Sequence, residues 1–255
     1  GSNCFAFQAP ASYARGLAKV GFDVFNLANN HSRDFGTTGL RQTVRALRAA
    51  GVRHTGLPGD VRFVRVRGRR VAFLGFAPYP WTSPLTDIRA ARKQIAGAAR
   101  RADTVVVFMH AGAEGAGALR VPYGRERAFG EDRGETRRFA RAAVDAGADA
   151  VLGSGPHVLR GMECYRRRVI AYSLGNFVGY RTLSTSGVLS LSGVLRVRLG
   201  PKGNLVGGRL MPVRLRAPGV PHPGGASVGL VRRLSRTDFG RRACRIGRRG
   251  GLALP

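Results

Sequence analysis

The fold is decided by one apolar stretch, TVVVFMH, at residues 104–110. Five apolar residues follow one another there, and three of them are β-branched valines. Continuous apolar runs of this length are typical of strands that are buried on both faces of a parallel sheet. Parallel neighbours are joined through helices, so the stretch predicts an α/β fold.

Similar apolar runs alternate with helical periodicity along most of the chain, as α/β architecture requires. Helices are predicted over residues 38–50 and 135–146, and a glycine follows each of them, where helices commonly end. The remaining strands are predicted over residues 23–27, 71–76, 150–153 and 169–173.

Toward the C terminus the pattern changes to strands without intervening helices. Two alternating segments, 188–199 and 205–215, flank the turn sequence PKGN at 201–204, which predicts a terminal hairpin. We place the domain boundary after this hairpin. Residues 1–216 are predicted to form one α/β domain, and residues 217–255 a basic C-terminal tail that contains Gly and Pro.

The charge of the chain is strongly unbalanced: 43 Lys and Arg face 14 Asp and Glu, which gives a net charge of +29. Such a surface attracts polyanions. Arginines near the predicted site, Arg33, Arg160 and Arg181, would form the groove for such a partner. An excess of Arg over Lys with abundant Ala and Gly is also what a GC-rich genome produces, so both interpretations stay open. No aromatic ladder accompanies the arginines, which makes nucleic acid an unlikely partner.

The three cysteines, Cys4, Cys164 and Cys244, show neither a CxxC spacing nor a zinc pattern. An odd number leaves at least one thiol free or paired outside the chain. The chain has no apolar run long enough to span a bilayer, and it starts without an initiator Met. We therefore expect an upstream signal or anchor, and any membrane association would depend on that segment.

A first cluster of polar residues follows the predicted strand at 23–27. Asn30, His31 and Asp34 can supply a metal ligand, a proton donor and a group that orients the donor. The alternative is that Asn30 and Asp34 cap the helix that begins near Thr37. The residues alone do not decide between the two.

Two further loops present histidines after predicted strands. His110 ends the apolar stretch, and Glu114 follows closely enough to hold its imidazole or to face a substrate; a buried structural histidine is the alternative. His157 stands in the Gly/Pro turn GSGPHV. One histidine from each of three loops is a common way to assemble a metal site. The other two, His54 and His222, lie in polar loops and are predicted to be surface residues.

Taken together, these loops resemble the signature of the capsule-synthesis CapA/PgsA (poly-γ-glutamate) family. The resemblance extends over about residues 5–197. The matching motifs, in chain order, are ANNH at 28–31 with Asp34, HAGAE at 110–114, GADAVLG at 147–153, PHV at 156–158 and YSLGNF at 172–177.

That family is similar to the calcineurin-like metallophosphoesterases, which are α/β/β/α sandwiches of two mixed sheets with divalent metal ions at the strand ends. The family's opening Gly-Asp and Asn-Leu-Glu motifs are not found here, so the resemblance implies this fold without its first strand. It also implies that Asn30 and His110 bind one metal ion and that His157 binds a second. His31, oriented by Asp34, would protonate a leaving group.

Other positions match the family with less defined roles. Glu114 is expected to be catalytic, and Glu163 and Asn176 are expected near the substrate. The last motif of the family usually reads Gly-x-His-Pro-His, and Gly155 occupies the position of its first histidine. One ligand is therefore missing, and we expect weak binding of divalent metal ions.

The resemblance implies a role in capsule or poly-γ-glutamate biosynthesis, in the cell envelope or outside the cell, with an anionic polymer as partner. Two functions stay open. The chain is either a metal-dependent hydrolase of the metallophosphoesterase-like superfamily or a non-catalytic polyanion-binding accessory protein. The glycine at 155 favours the accessory protein, whereas the retained Asn30, His31, Asp34, His110 and His157 favour the hydrolase.

Overall fold

The computed structural model describes residues 5–255, where helices and strands alternate. None of these helices is long and apolar enough to cross a bilayer. The helices are α1 (Tyr13–Lys19), α2 (Gly36–Ala49), α3 (Ile88–Ala99), α4 (Thr136–Asp145) and α5 (Ser227–Phe239). The strands are β1 (Val24–Asn26), β2 (Arg53–Thr55), β3 (Arg62–Val66), β4 (Arg69–Ala77), β5 (Ser83–Pro84), β6 (Thr104–His110), β7 (Arg127–Ala128), β8 (Glu131–Asp132), β9 (Ala150–Ser154), β10 (Met162–Tyr165), β11 (Arg168–Ala171), β12 (Leu191–Leu199), β13 (Leu205–Arg216), β14 (Val220–Pro223), β15 (Arg245–Ile246) and β16 (Gly251–Ala253).

The largest sheet has seven strands in the order β10-β11-β9-β6-β4-β3, and β5 also pairs with β4. Its four central strands are parallel, whereas β3 and β10 are antiparallel to their neighbours. The predicted strands over residues 71–76, 104–110, 150–153 and 169–173 are these four central strands. The predicted α/β class is therefore confirmed.

Helices α3 and α4 cover one face of this sheet. Buried residues of α4 recur at positions 136, 139, 140, 143 and 144, the spacing of one helical face. Phe139 is 1% exposed and packs on Phe76 of β4, with ring centroids 5.3 Å apart. Burying one such side chain contributes about 1.5–3 kcal/mol. The helices thereby fix the carboxyl ends of β4, β6 and β9 against one another.

The second sheet has the order β12-β13-β16-β15, with β14 also on β13, and all its pairings are antiparallel. Its hairpin β12–β13 is the one that the turn sequence at 201–204 predicts. Apolar residues of this sheet and of α5 form a second core with the other face of β9, β10 and β11. The first sheet is thus mixed, and the second is antiparallel.

Residues beyond 216 are packed on the rest of the chain. They contribute β14, β15 and β16 to the second sheet, and α5 contacts both β10 and β13. A disulfide joins Cys164 of β10 to Cys244, which the cysteine spacing does not reveal. Cys4 lies outside the described residues. The domain boundary after residue 216 stays a prediction.

The strand predicted at 23–27 is β1, which pairs in parallel with β2 in a separate small sheet. This pair packs on β4 at a point that needs glycine. A Cβ atom on Gly75 would lie 1.9 Å from Asn26 Oδ1 and 2.9 Å from the Cα atom of Gly56. Since no side chain separates the two sheets here, the loop after β1 reaches the carboxyl end of the large sheet.

Candidate functional site

A pocket of about 500 Å³ opens at the carboxyl ends of β6 and β9. It brings together four residues that the sequence predicts for the site, Asn30, His31, His110 and His157. The loop after β1 supplies the first two, β6 the third and the turn after β9 the fourth. The remaining lining residues are Asn26, Asn29, Phe108, Leu152, Gly153, Ser154, Leu174 and Gly175.

The loop after β1 holds His31 by hydrogen bonds on both sides of its ring. Nδ1 lies 3.0 Å from Asp34 Oδ2, and Nε2 lies 3.0 Å from Asn30 Nδ2. A neutral imidazole satisfies both contacts when Nδ1–H donates to the carboxylate and Nε2 accepts from the amide. The ring of Phe7 packs edge-on against His31, and the Phe7 amide donates to Asp34. These contacts fix the imidazole in one orientation.

The same network leaves one polar atom of Asn30 without a partner. Because its amide nitrogen donates to His31, its Oδ1 is the free end of the side chain, and that atom is buried without a hydrogen bond among the described residues. An unpaired buried carbonyl oxygen costs about 1–3 kcal/mol. A ligand that accepts this lone pair would recover that cost.

The imidazole of His110 also has a buried polar atom without a hydrogen-bond partner in the structure from residue 5 onward. Ser154 Oγ lies 3.5 Å from the Met109 carbonyl and 3.2 Å from His110 Nδ1. When the hydroxyl donates to the carbonyl, Nδ1–H donates to Ser154 and Nε2 keeps its lone pair. Nε2 is buried without a partner in the described part of the chain. Burial, together with the positive charge of Arg133, lowers the pKa of His110 to about 3, so the ring is neutral.

His157 is presented by a strained turn. Its φ of +60° lies in the left-handed region, which residues other than glycine seldom adopt. Its Nδ1 lies 2.7 Å from Asn176 Oδ1, and the Asn176 amide donates to the Leu189 carbonyl. This chain assigns the Nδ1 hydrogen and leaves the Nε2 lone pair free. Asn176, predicted near the substrate, is buried behind His157.

An ion-pair network lies behind His157. Its Nε2 is 3.9 Å from Glu114 Oε2, and the other oxygen of Glu114 is 2.5 Å from Arg133 Nη1. Arg133 is 1% exposed and also pairs with Glu131 at 3.0 Å. The buried guanidinium therefore holds Glu114 beside the pocket. Arg133 is a positioning residue that the sequence analysis does not identify, because it lies in an irregular segment without a motif.

The structure separates two other predicted residues from the pocket. Glu163 of β10 is fully buried and accepts from Arg141 and from the Tyr172 hydroxyl on the α4 side of the sheet. Arg160, predicted to flank the groove, is 1% exposed and is paired with Glu126 at 2.7 Å. The prediction that Arg160 lines a polymer-binding groove is wrong, because a buried and paired guanidinium is not available to a polymer.

The backbone at Gly155 disfavours the histidine of the family pattern. Its φ is +116°, and a Cβ atom there would lie 3.0 Å from the Ala111 carbonyl oxygen. The preceding residue, Ser154, is the one that lines the pocket and contacts His110. His54, predicted to be exposed, is instead 1% exposed on β2, so that prediction is wrong. The strand carrying it is covered by α2 and β4.

Asn30, His110 and His157 fit a divalent metal ion in part. Two of their donor atoms are buried and unpaired, and both imidazoles have the outer hydrogen bonds that fix metal-binding histidines. Among residues 5–255, however, no three His, Cys, Asp or Glu side chains are grouped to hold a metal ion. The described donors would make an incomplete, neutral coordination sphere.

The sequence pattern that defines the family described as "Bacterial capsule synthesis protein PGA_cap" matches residues 1–181. The chain belongs to this bacterial capsule synthesis protein family. The matched part contains the whole pocket loop after β1, strands β6 and β9, and Asn176. The predicted resemblance to the CapA/PgsA family is thereby confirmed.

Members of the capsule synthesis family from several bacteria are similar to the chain. The "Capsule biosynthesis protein CapA" of Bacillus anthracis is 34% identical over 193 residues, which cover 67% of this chain and 43% of that protein. The "PGA biosynthesis protein CapA" of Bacillus subtilis is 33% identical, with coverages of 64% and 44%. A "Probable polyglutamine synthesis accessory protein" of Mycobacterium tuberculosis is 29% identical, with coverages of 74% and 54%. The chain spans about half the length of these relatives.

Solved structures show more distant likenesses to this family member. The superposition on a Staphylococcus aureus protein has a TM-score of 0.49 at 14% identity. The aligned region covers 87% of this chain and 43% of that protein. A Thermus thermophilus protein has a TM-score of 0.42 at 13% identity, with coverages of 84% and 92%. Both are too distant to bear on function.

Proposed function

We propose that this chain acts in capsule-polymer biosynthesis and that its pocket is a metal-dependent hydrolytic site for an anionic polymer such as poly-γ-glutamate. The observation that carries the proposal is the pair of buried, unpaired donor atoms, Asn30 Oδ1 and His110 Nε2. They line one pocket with His157, whose Nε2 lone pair is also free.

Each residue would have a separate part in the reaction. Asn30, His110 and His157 would hold a divalent ion, which supplies Lewis acidity to the bond that is cleaved. His31 takes or gives a proton at Nε2, the nitrogen that otherwise accepts from the Asn30 amide, because Nδ1 is committed to Asp34. When His31 is protonated, Asp34 lies beside the imidazolium and stabilises it. Such general acid–base catalysis contributes about 10²–10⁴-fold to a rate.

The disulfide bears on the cellular location. Disulfides persist in oxidising compartments and are rare in the cytosol. The bond between Cys164 and Cys244 therefore supports a place in the cell envelope or outside the cell, where capsule polymers are made and handled. Two named relatives act in capsule or poly-γ-glutamate biosynthesis, which supports the polymer as partner.

A second function has one specific observation in its favour. Among residues 5–255, no Asp or Glu lines the pocket, and the Glu114 carboxylate, 3.9 Å from His157 Nε2, is already paired with Arg133. Together with the net charge of +29, this favours a non-catalytic accessory protein that binds the polymer. The two functions differ in whether polymer is cleaved.

The test combines metal binding with polymer cleavage. Calorimetric titration with Zn²⁺ and with Mn²⁺ should show weak binding that Asn30→Ala and His110→Gln abolish, while His222→Gln, outside the pocket, leaves it unchanged. Shortening of poly-γ-glutamate, followed by gel filtration, should fall about 10²-fold or more in His31→Gln without loss of metal binding. Metal binding that survives both pocket substitutions would refute the site. Binding of polymer without any cleavage would establish the accessory function instead.

A further inference from the structure

The positive charge of the chain is concentrated in its C-terminal part. Residues 164–255 contain 17 Arg and one Lys, and Asp238 is their one acidic residue. Residues 1–163 contain 25 basic and 13 acidic residues. A GC-rich genome favours Arg over Lys, but it does not remove Asp and Glu. Codon composition therefore does not explain this distribution.

Asp238 does not moderate the charge at the surface. Its side chain is 1% exposed, and it is bound to Arg120 and to the Val121 amide. Residues 164–255 thus expose no acidic side chain of their own. Carboxylates from the rest of the chain, Asp145 and Asp149, pair with Arg166 and Arg168 and not with arginines of the second sheet. An anionic partner would therefore meet a positive field along the second sheet.

Strand register places four arginines on one face of the second sheet. Arg196 pairs directly with Arg209, and Arg198 lies two residues further along β12 on the same face. Arg209 pairs with Gly251 of β16, two residues from Ala253, which pairs with Arg245. All four arginines are exposed, and we call them the arginine face: Arg196, Arg198, Arg209 and Arg245.

Three neighbours of these arginines are small, whereas Val194 and Met211, which pair with each other beside Arg196 and Arg209, are larger. Gly251 and Ala253 lie between them, and Gly207 lies opposite Arg198. A Cβ atom on Gly207 would lie 2.7 Å from Arg198 Nη2, so the guanidinium rests on the glycine. The absence of larger side chains at these places leaves the face open to an extended chain.

None of the four arginines pairs with a carboxylate in the described part of the protein. Like charges directly opposite on neighbouring strands, as in Arg196 and Arg209, are destabilising. An anionic ligand would remove this repulsion, which gives the face a reason to bind one.

The geometry points to the arginine face as the docking surface for a linear polycarboxylate, the polymer class of the proposed function. The Cα atoms of Arg196 and Arg209, on neighbouring strands, lie about 5 Å apart, and those of Arg196 and Arg198 lie about 7 Å apart along β12. Each guanidinium can bind a carboxylate through two N–H donors. None of the strands of the second sheet, β12 to β16, contains a Phe, Tyr or Trp that would stack on bases or enter a lipid surface, which favours the polymer over nucleic acid and membranes.

The arginine face is connected to the pocket through β12. That strand begins at Leu191, whose carbonyl oxygen would lie 2.6 Å from a Cβ atom on the pocket residue Gly175. From Leu191 to Arg196 the strand rises about 17 Å. On the arginine side of β12, Val194 and Arg196 are exposed, whereas Ser192 is fully buried and donates to the Leu174 carbonyl. The exposed arginine face therefore ends before the pocket, and the backbone of β12 links the two.

The test measures binding of fluorescein-labelled poly-γ-glutamate by anisotropy over a series of salt concentrations. One variant carries Arg→Gln at positions 196, 198, 209 and 245. Its matched control carries Arg→Gln at the exposed positions 41, 45, 65 and 92, which lowers the net charge equally from +29 to +25. With about twofold per exposed ion pair, the loss of four arginines should weaken binding of the first variant about 16-fold. Its affinity should also depend less on salt, while the control changes by less than about threefold.

Equal losses in the two variants would overturn the arginine face. If the first variant does not unfold at the same temperature as the native chain, two double variants replace the fourfold ones. Arg196→Gln with Arg198→Gln, on the edge strand, is then compared with Arg41→Gln with Arg45→Gln as its control. Duplex DNA or anionic vesicles that bind as tightly, through the same four arginines, would overturn the polycarboxylate as ligand. His31→Gln should bind the polymer normally. Failure of the native chain to bind would refute the proposed partner as well, whereas loss of cleavage alone concerns the pocket.

Discussion

The disulfide between Cys164 and Cys244 should account for a large part of the stability of the chain. It joins β10 to the segment before β15 across a sequence separation of 80 residues. That loop includes β11, the whole hairpin β12–β13 and α5. Replacing both cysteines by alanine opens the loop without adding a polar group to the second core, where both sulfur atoms are buried.

The magnitude follows from the length of the loop. Closing a loop of this size lowers the entropy of the unfolded chain by about 15 cal/mol/K, which stabilises the folded state by about 4.5 kcal/mol at 25 °C. Domains are commonly stable by about 5–15 kcal/mol, so the loss is a third or more of the total. In a chain of this size it should lower Tm by roughly 9–18 °C.

Thermal unfolding followed by circular dichroism measures the effect in three samples: the native chain, the native chain with reductant, and Cys164→Ala with Cys244→Ala. The last two should unfold at similar temperatures, both well below the first. Peptide mapping without reductant should show the two cysteine peptides joined. A change in Tm of less than about 3 °C in both samples would refute the reasoning, because less than about 1.5 kcal/mol would then come from loop closure.

The remaining predictions concern the turn after β9 and a buried histidine. Gly155→His should not raise affinity for Zn²⁺ and should cost about 1–3 kcal/mol of stability, because its φ excludes a side chain. Ser154→His, at a position that lines the pocket, should raise the affinity for Zn²⁺. Competition with a chromophoric chelator measures the Zn²⁺ affinity of both variants. A gain in Gly155→His and none in Ser154→His would contradict the geometry. Burial lowers the pKa of His54 below that of the unfolded chain, so as pH falls below about 6.5 the unfolded state binds more protons and stability decreases. His54→Gln should flatten this decrease between pH 7 and 5 in urea unfolding, and an unchanged slope would exclude His54 as its source.

Much of the fold could be predicted because buried parallel strands have an unambiguous pattern. β6 is a continuous apolar run, and α4 shows the spacing of one buried face. Helix α3 was not predicted, since the face it buries consists of Ala91, Ile95 and Ala98, and alanines provide little contrast with their surroundings. β15 and β16 are too short to have a pattern, and they depend on pairing with distant β13.

The pocket could be predicted where chemistry follows the end of a strand. His110 and His157 stand at such points, and parallel strands place their carboxyl ends together. Glu163 lies inside a strand, and its environment depends on which face of the sheet its side chain takes. Arg133 depends on an irregular segment that folds over the site. The charge distribution, by contrast, was present in the sequence: no acidic residue stands between Glu163 and Asp238.

Trp81 gives the protein an internal optical reporter. It is the single tryptophan of the chain, and its indole nitrogen donates to the Asn29 carbonyl and the Ser32 hydroxyl of the loop after β1. The Trp81 ring stacks on the ring of Tyr79, with the ring centroids 5.1 Å apart. Any event that moves this loop will alter the surroundings of the indole and hence its emission. Intrinsic fluorescence of the unlabelled chain therefore follows events at the pocket without interference from a second fluorophore of its kind.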